Sequence, residues 1–350
     1  MRILVFGAGP LGSLFTARLQ QGGHKVALLA RGQRLNDLRQ HGIVLKNWST
    51  GKEEEIRVDL IEKLASEDRY DLILVIMRKN SAVKILPVLA ENHSPKVLFL
   101  MNNAAGSGTL TDALGAERVL IGFPGAAGYK ERNKIVYINA EPKQPAVINL
   151  GLPEGGTSDE LENIAAELEK GWYLETEIQE DMDAWSKYHV GLLFPSLAPA
   201  AYLCKFDRLR MSKTRDAIVL AIRAMKEGFS VLRKLGYPVT PKKFKQFLLI
   251  PEPILVAFFS KLIKNPRMDI AMMRHARVIR DEIQQLNEEF MLLVEESGIF
   301  TPTILFLVGE FDRKAPALPE GSRSIRMDWS AIILAVSFIM ITGLLIALLV

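Results

Sequence analysis

The sequence predicts an α/β chain: a doubly wound parallel sheet first, an all-helical unit second, and a single transmembrane helix last. Short apolar runs alternate with helical patterns through the first half, and from about Asp181 the pattern is helical almost throughout. The final residues, Ala331 to Val350, carry no charge. At 350 residues the chain can form two domains with separate cores. The boundaries read as 1–175 for the sheet domain, 176–314 for the helical domain, 315–328 for a linker and 329–350 for the span.

The elements follow in order. "ILVF" is a short buried-strand run, and Gly7 to Gly12 turn the chain into a helix whose apolar face is Leu11, Leu14, Phe15 and Leu19. "QGGH" breaks that helix, and "KVALLA" supplies the second strand. "DLILVIM" and "KVLFLM" are continuous apolar runs, the pattern of strands covered on both faces. A β-α-β order with short turns calls for a parallel sheet. "KIVYINA" and "PAVINLG" alternate more and are expected to pair antiparallel at its far edge. A helix over "ELENIAAELEK" has Thr157 or Ser158 as its cap and Gly171 behind it. Asp216 to Leu235 keeps Ile218, Val219, Ile222, Met225, Phe229 and Leu232 on one face, and Arg267 to Ser297 is a second long amphipathic stretch.

Composition removes several classes of function. The single cysteine, Cys204, excludes an internal disulfide and suits a reducing compartment. A net charge of +4 spread along the chain does not form a nucleic-acid stripe. The five histidines lack metal-ligand spacing, and His189 reads as a packed side chain. The N-terminus shows no signal-peptide pattern. At the C-terminus, about twenty uncharged residues in a helix span roughly 30 Å, the thickness of a bilayer core. Trp329 marks the interface, and Arg323 and Arg326 before it place the folded domains on the cytoplasmic side. Residues 247–266 are also apolar, with lysines alongside; they suit either an anionic membrane surface or the core of the helical domain.

The chemistry concentrates in a few places. Gly7, Ala8, Gly9, Pro10, Leu11 and Gly12 fit G-x-G-x-x-G between a strand and a helix, the context of a Rossmann dinucleotide site. Gly7 permits the turn, Gly9 lets a pyrophosphate approach, and Gly12 lets helix and strand pack closely. The second strand ends in Ala30 and Arg31, with Arg34 a turn later, where a site for NAD would carry Asp or Glu. A guanidinium there binds phosphate oxygens bidentately, so the expected cofactor is NADP. Lys187 heads an otherwise apolar helix, and a lysine is rarely buried unless something pairs with it or uses it.

With Asn103 in "NNAAG", Lys187 in "WSK" and Glu282 in "EIQQLN", the chain resembles the ketopantoate reductase (2-dehydropantoate 2-reductase) family over roughly residues 1–310. The resemblance implies a Rossmann domain plus a helical domain that reduce a 2-oxo acid with NADPH in the cleft between them. By position, it implies Lys187 as proton donor, Asn103 on the nicotinamide side, and Glu282 near substrate and cofactor. Arg78 falls where the family has a lysine, unless Lys79 is the equivalent. The residues agree for Lys187: hydride addition to a ketone leaves an alkoxide, which needs a general acid beside it. Glu282 lies at the border of its helix's apolar arc, where it is expected either to pair with Lys187 or to be solvated like Glu288, Glu289, Glu295 and Glu296.

The departures lie in the substrate half. The family's two substrate-binding Asn positions are Gly191 and Pro195 here, its loop glycine is Ala104, and Ile270 stands near its serine. A proline in the helix frees a carbonyl. The expected partners are a small 2-oxo acid and, through the last helix, membrane lipid. The sequence leaves oligomeric state open. A second reading, a non-catalytic membrane-anchored NADPH-binding sensor or scaffold, accounts for the lost Asn pair but not for Lys187 and Glu282 together.

Overall fold

The computed structural model describes residues 1–349, with only the backbone described at residues 335 and 341–349. Twelve strands form two sheets: β1 (Arg2–Phe6), β2 (Lys25–Leu29), β3 (Ile43–Asn47), β4 (Glu53–Ile56), β5 (Asp59–Ile61), β6 (Leu72–Val75), β7 (Val97–Leu100), β8 (Val119–Phe123), β9 (Ala127–Glu131), β10 (Lys134–Ile138), β11 (Ala146–Gly151) and β12 (Leu174–Ile178). The larger sheet has the order β12-β11-β8-β7-β6-β1-β2-β5. Its six strands from β8 to β5 are parallel, as the continuous apolar runs predict. Along β1, Ile3 and Val5 enter the core on one face while Leu4 and Phe6 enter the core on the other.

The sheet's far edge differs from expectation. β10 and β11 do not pair with each other: β11 joins the large sheet antiparallel to β8, with β12 parallel to it at the edge, whereas β10 lies parallel to β3 in a second sheet, β4-β3-β10-β9. Both strands are buried along nearly their whole length rather than alternating, so period alone does not say which partner each takes. The partner of β10 is set by Arg18, which is buried and holds the first helix against the second sheet through Tyr137 Oη (2.6 Å), the Ala140 carbonyl (3.2 Å) and Glu54 (2.8 Å). The large sheet runs on to Ile178, a few residues past the boundary expected at 175.

The helical domain is built around Arg215–Lys234, whose buried residues include the predicted face of Ile218, Val219, Ile222, Met225, Phe229 and Leu232. The stretch from Arg267 to Ser297 is not one helix. A π-turn over Asp269–Met273 and a short helix, Arg274–Val278, precede a break at Ile279, and Arg280–Ser297 starts afresh. The break places Asp281 and Glu282 in a helical first turn, where exposed N–H groups favour negative charge.

Residues 315–328, expected as a linker, are held against the helical domain. Asp216 accepts the backbone N–H groups of Ser324 (2.8 Å) and Ile325 (3.0 Å), Arg223 donates to the Arg326 carbonyl (2.7 Å), and Leu318 N–H bonds the Leu203 carbonyl (2.9 Å). A helix over Ser330–Leu349 follows this strap. Among the described residues no helix is long and apolar enough to cross a membrane; the second half of the expected span, from residue 341, lies outside those whose side chains are described.

Candidate functional site

The order of the large sheet reverses between β1 and β6, the switch point at whose strand ends such folds bind ligands. The glycine loop sits there. Gly7 has φ +126°, and a Cβ on it would lie 2.4 Å from the Ile76 carbonyl oxygen at the end of β6. A Cβ on Gly12 would lie 1.7 Å from the Gly7 carbonyl oxygen, so the helix Pro10–Gln21 packs directly onto the loop. Gly9 faces open space, with no atom within 4 Å of where its Cβ would be. Pro10 begins the helix, where its missing N–H costs nothing. The loop thus has the shape and exposed N–H groups for a pyrophosphate, and the residues fit a dinucleotide.

The two arginines after β2 have separate duties. Arg34 is half-buried and bonds the Ala8 carbonyl (3.0 Å) and Ser13 Oγ (2.9 Å), which braces the loop from behind. Arg31 is exposed at the head of the helix Gly32–His41, and its guanidinium makes no hydrogen bond or ion pair with another described residue. Its guanidinium is free to bind an anion bidentately.

The second group lies where the two domains meet. Lys79 is buried and bonds Asn103 Oδ1 (2.7 Å) and Glu289 (2.8 Å). Asn103 Nδ2 donates to the Gly106 carbonyl (2.7 Å), which shapes the loop Asn102–Gly106 after β7. Glu289 also accepts the N–H groups of Ala104 and Ala105, at 3.2 Å each. Arg78 turns away from this group. It spans to the helical domain, bonding Asp281 (3.0 Å) and the Val278 carbonyl (3.1 Å), which the helix break at Ile279 leaves free. Of the two neighbouring cations it is therefore Lys79 that touches Asn103.

Lys187, on the helix Met182–Leu192, is 3 % exposed. It pairs with Asp183 one turn earlier and lies 4.7 Å from the Tyr237 ring centre. A methyl group added at Gly106 would sit 3.8 Å from the Lys187 Nζ and 3.6 Å from Asp183 Oδ1, so the Asn102–Gly106 loop lies beside this ammonium. The expected Lys187–Glu282 pair does not form; the acid one turn away on the same helix reaches the lysine first. Glu282 is also not solvated. It is 3 % exposed and accepts from Asn102 Nδ2 on Oε1 (3.4 Å), while Oε2 faces Arg78 Nε at 3.9 Å and accepts no hydrogen bond. Burial pushes its carboxyl above the usual range, opposed by the Asn102 hydrogen bond and the Arg78 charge. Glu289, grouped by sequence with solvated charges, is a nearly buried clamp.

The substrate half is rewritten in packing as well as in letters. A Cβ at Gly191 would lie 3.0 Å from the Phe290 ring, so that ring fills the space where an Asn side chain would start. Pro195 produces a π-turn over Leu193–Leu197, and the carbonyl it frees, that of Gly191, accepts from Ser196 Oγ (3.1 Å). Ile270 is buried in the π-turn before the acidic helix. His189 stacks on Trp185 (5.1 Å) and lies tilted against Phe123 (4.2 Å), and burial pushes its imidazole down to about 4.

Sequence missed Asp183, Asn102 and Glu289. Asp183 was readable as an acid four residues before a lysine on one helix face. Glu289 was not, because its partners lie in the other domain.

Residues 3–151 match the family model for ketopantoate reductase PanE/ApbA. The chain is 24% identical over 321 residues to 2-dehydropantoate 2-reductase of Aquifex aeolicus, covering 88% of this chain and 94% of that one. Among solved structures, 2-dehydropantoate 2-reductase from Geobacter metallireducens superposes with a TM-score of 0.72 at 17% identity, covering 90% of this chain and all of that one. D-mandelate dehydrogenase, solved with NADH and anilino(oxo)acetate, superposes with a TM-score of 0.72 at 18% identity, over 90% of this chain and 98% of that one. By sequence in its first domain and by fold across both, the chain is similar to the ketopantoate reductases.

Proposed function

We propose that this chain is a membrane-anchored, NADPH-dependent reductase of the ketopantoate reductase type, converting a 2-oxo acid to the 2-hydroxy acid. The observation that carries the reading is Lys187: a buried ammonium paired with Asp183, beside the Asn103 loop where the two domains meet. The bound nicotinamide supplies the hydride. Lys187 gives the carbonyl oxygen its proton and stabilises the negative charge that develops there. Asp183 keeps the ammonium in place between turnovers. Lys79 and Glu289 fix the loop against which the nicotinamide side of the site is formed, and Glu282 offers Oε2, which accepts no hydrogen bond and faces only Arg78 at 3.9 Å, to substrate or cofactor. Arg31, free of other duties, favours the 2′-phosphate. The relatives named 2-dehydropantoate 2-reductase support the substrate class. The anchor rests on the apolar run from Ala331 to Val350, with Ile333, Leu334, Phe338, Ile339 and Met340 exposed on its first turns.

The packing of Phe290 against Gly191 favours a second reading, a membrane-anchored NADPH-binding sensor without turnover, because the polar contacts to a 2-oxo acid are fewer. NADPH oxidation by the full chain in detergent, against a panel of 2-oxo acids that includes 2-dehydropantoate, separates the two. Turnover of any member establishes the reductase. Tight NADPH binding without turnover of any member establishes the sensor.

A further inference from the structure

The helix Glu252–Lys264 buries Leu255, Val256, Phe259 and Ile263 against the helical core, yet its other side is not polar. Ile254 is 53 %, Phe258 58 % and Leu262 38 % exposed, and their four-residue spacing makes one stripe. Leu249, 83 % exposed at the end of the preceding helix, extends it. Lys261 and Lys264 are exposed on the same helix, and Lys242, Lys243 and Lys245 on the segment before it. Single exposed apolar residues are ordinary, but a contiguous stripe marks a contact surface.

Its position in the fold says which contact. Glu252, the first residue of this helix, accepts the backbone N–H of Asp328 at 2.9 Å, two residues before the C-terminal helix begins at Ser330. The docked strap therefore delivers the start of that apolar helix to the head of the striped one. Charge narrows the occupant further. From Lys242 to Lys264 the only acid is Glu252, which is buried and spent on Arg223 and Asp328. Two copies of this face in an isologous contact would oppose five lysines with five lysines. An anionic leaflet complements both the lysines and the apolar stripe.

We propose that Leu249, Ile254, Phe258 and Leu262 sit in the headgroup–acyl boundary of an anionic bilayer, with the flanking lysines on lipid phosphates. The C-terminal helix and this face then hold the enzyme at two places, which fixes the tilt of the domain cleft over the membrane. The inference rests on the anchored reading for the nearness of a bilayer.

The test is site-directed spin labelling of the full chain, reconstituted in phosphatidylcholine vesicles with and without phosphatidylserine. Cys204 is buried and its thiol is pushed up to about 11 by that burial, so the label goes to an introduced cysteine. Labels at Phe258→Cys and Leu249→Cys should be relaxed more by oxygen than by a water-soluble nickel chelate when phosphatidylserine is present. Lys261→Glu with Lys264→Glu should remove that bias. Preferential relaxation by nickel at both positions in both vesicles overturns the proposal, as does spin–spin broadening at 258, which would mark a second copy on this face. A label at Leu334→Cys reads the anchor separately. Lipid exposure at 334 with water at 258 defeats only the surface contact, and the reverse result defeats only the anchor.

Discussion

Lys79 of the sheet domain and Glu289 of the helical domain meet at 2.8 Å across the domain boundary, both side chains nearly buried. The same carboxylate accepts two backbone N–H groups of the Asn103 loop, so one residue of the second domain shapes a loop of the first. The seating of the helical domain and the shape of the Asn102–Gly106 loop are therefore coupled.

Glu289→Ala removes the only carboxylate that faces the Lys79 ammonium among the described residues, leaving it Asn103 Oδ1 alone, and strands two N–H groups. Removing one partner of a buried pair typically costs about 3–5 kcal/mol. Denaturant unfolding should show a loss of this order, and Lys79→Met in the same chain should return most of it. A single-variant loss no larger than that of a surface pair, about 1 kcal/mol or less, would show that water reaches the clamp.

Lys187→Ala should lower turnover by about 10²–10⁴, the usual contribution of a general acid, with NADPH affinity nearly unchanged. Asp183→Asn should also lower turnover, but less, since the ammonium remains. Steady-state rates alongside a fluorescence titration of NADPH give both quantities. A collapse of cofactor binding in Lys187→Ala would make that lysine structural.

The free guanidinium of Arg31 and the occupied one of Arg34 lead to opposite expectations. NADPH should bind at least about ten-fold more tightly than NADH, and Arg31→Ala should abolish most of the preference, since about 1.4 kcal/mol is one decade. Arg34→Ala should weaken both cofactors together, because it braces the loop that both would use. Equal affinities in the parent chain would dismiss a 2′-phosphate site.

Two buried groups give stability opposite slopes with pH. The native His189 titrates near 4, below its ordinary value of 6.5, so the unfolded chain takes up a proton first as pH falls. Stability is full above about 6.5 and declines toward pH 4, by about 3 kcal/mol at 1.36 per unit. The Glu282 carboxyl is raised, so here the native state keeps its proton longer. Its contribution declines as pH rises from the ordinary carboxylate range through the raised native value. His189→Phe should flatten the acid limb of an unfolding-versus-pH curve, and Glu282→Gln should raise stability at neutral pH. Unchanged limbs in both variants would mean that water reaches the two groups.

Local patterns carried much of this far. The run before Gly7, the glycines themselves and the continuous apolar strands specify a parallel sheet with a dinucleotide turn, because period and backbone freedom are properties of neighbouring residues. Ser158 accepts Leu161 N–H as its place before the helix predicts, and Pro195 frees the Gly191 carbonyl as its ring requires. The partners of β10 and β11 were not legible, since a short apolar strand satisfies either of two sheets until Arg18 and Tyr137 choose one.

Sequence alone carries the Rossmann-type and helical parts of the fold class, the glycine turn, and a lysine at the head of a buried helix. The tertiary structure decided whom that lysine meets. A chain distance of four residues gave Lys187 to Asp183, leaving Glu282 to Asn102 and Arg78. It also turned Glu289 from a surface charge into a clamp and laid the expected linker along the helical domain as a strap. The physical reason is common to all of these. A charge shows its own cost of burial in the sequence, but the group that compensates it lies wherever the fold brings donors and acceptors within 3 Å or so, and that distance is independent of separation along the chain.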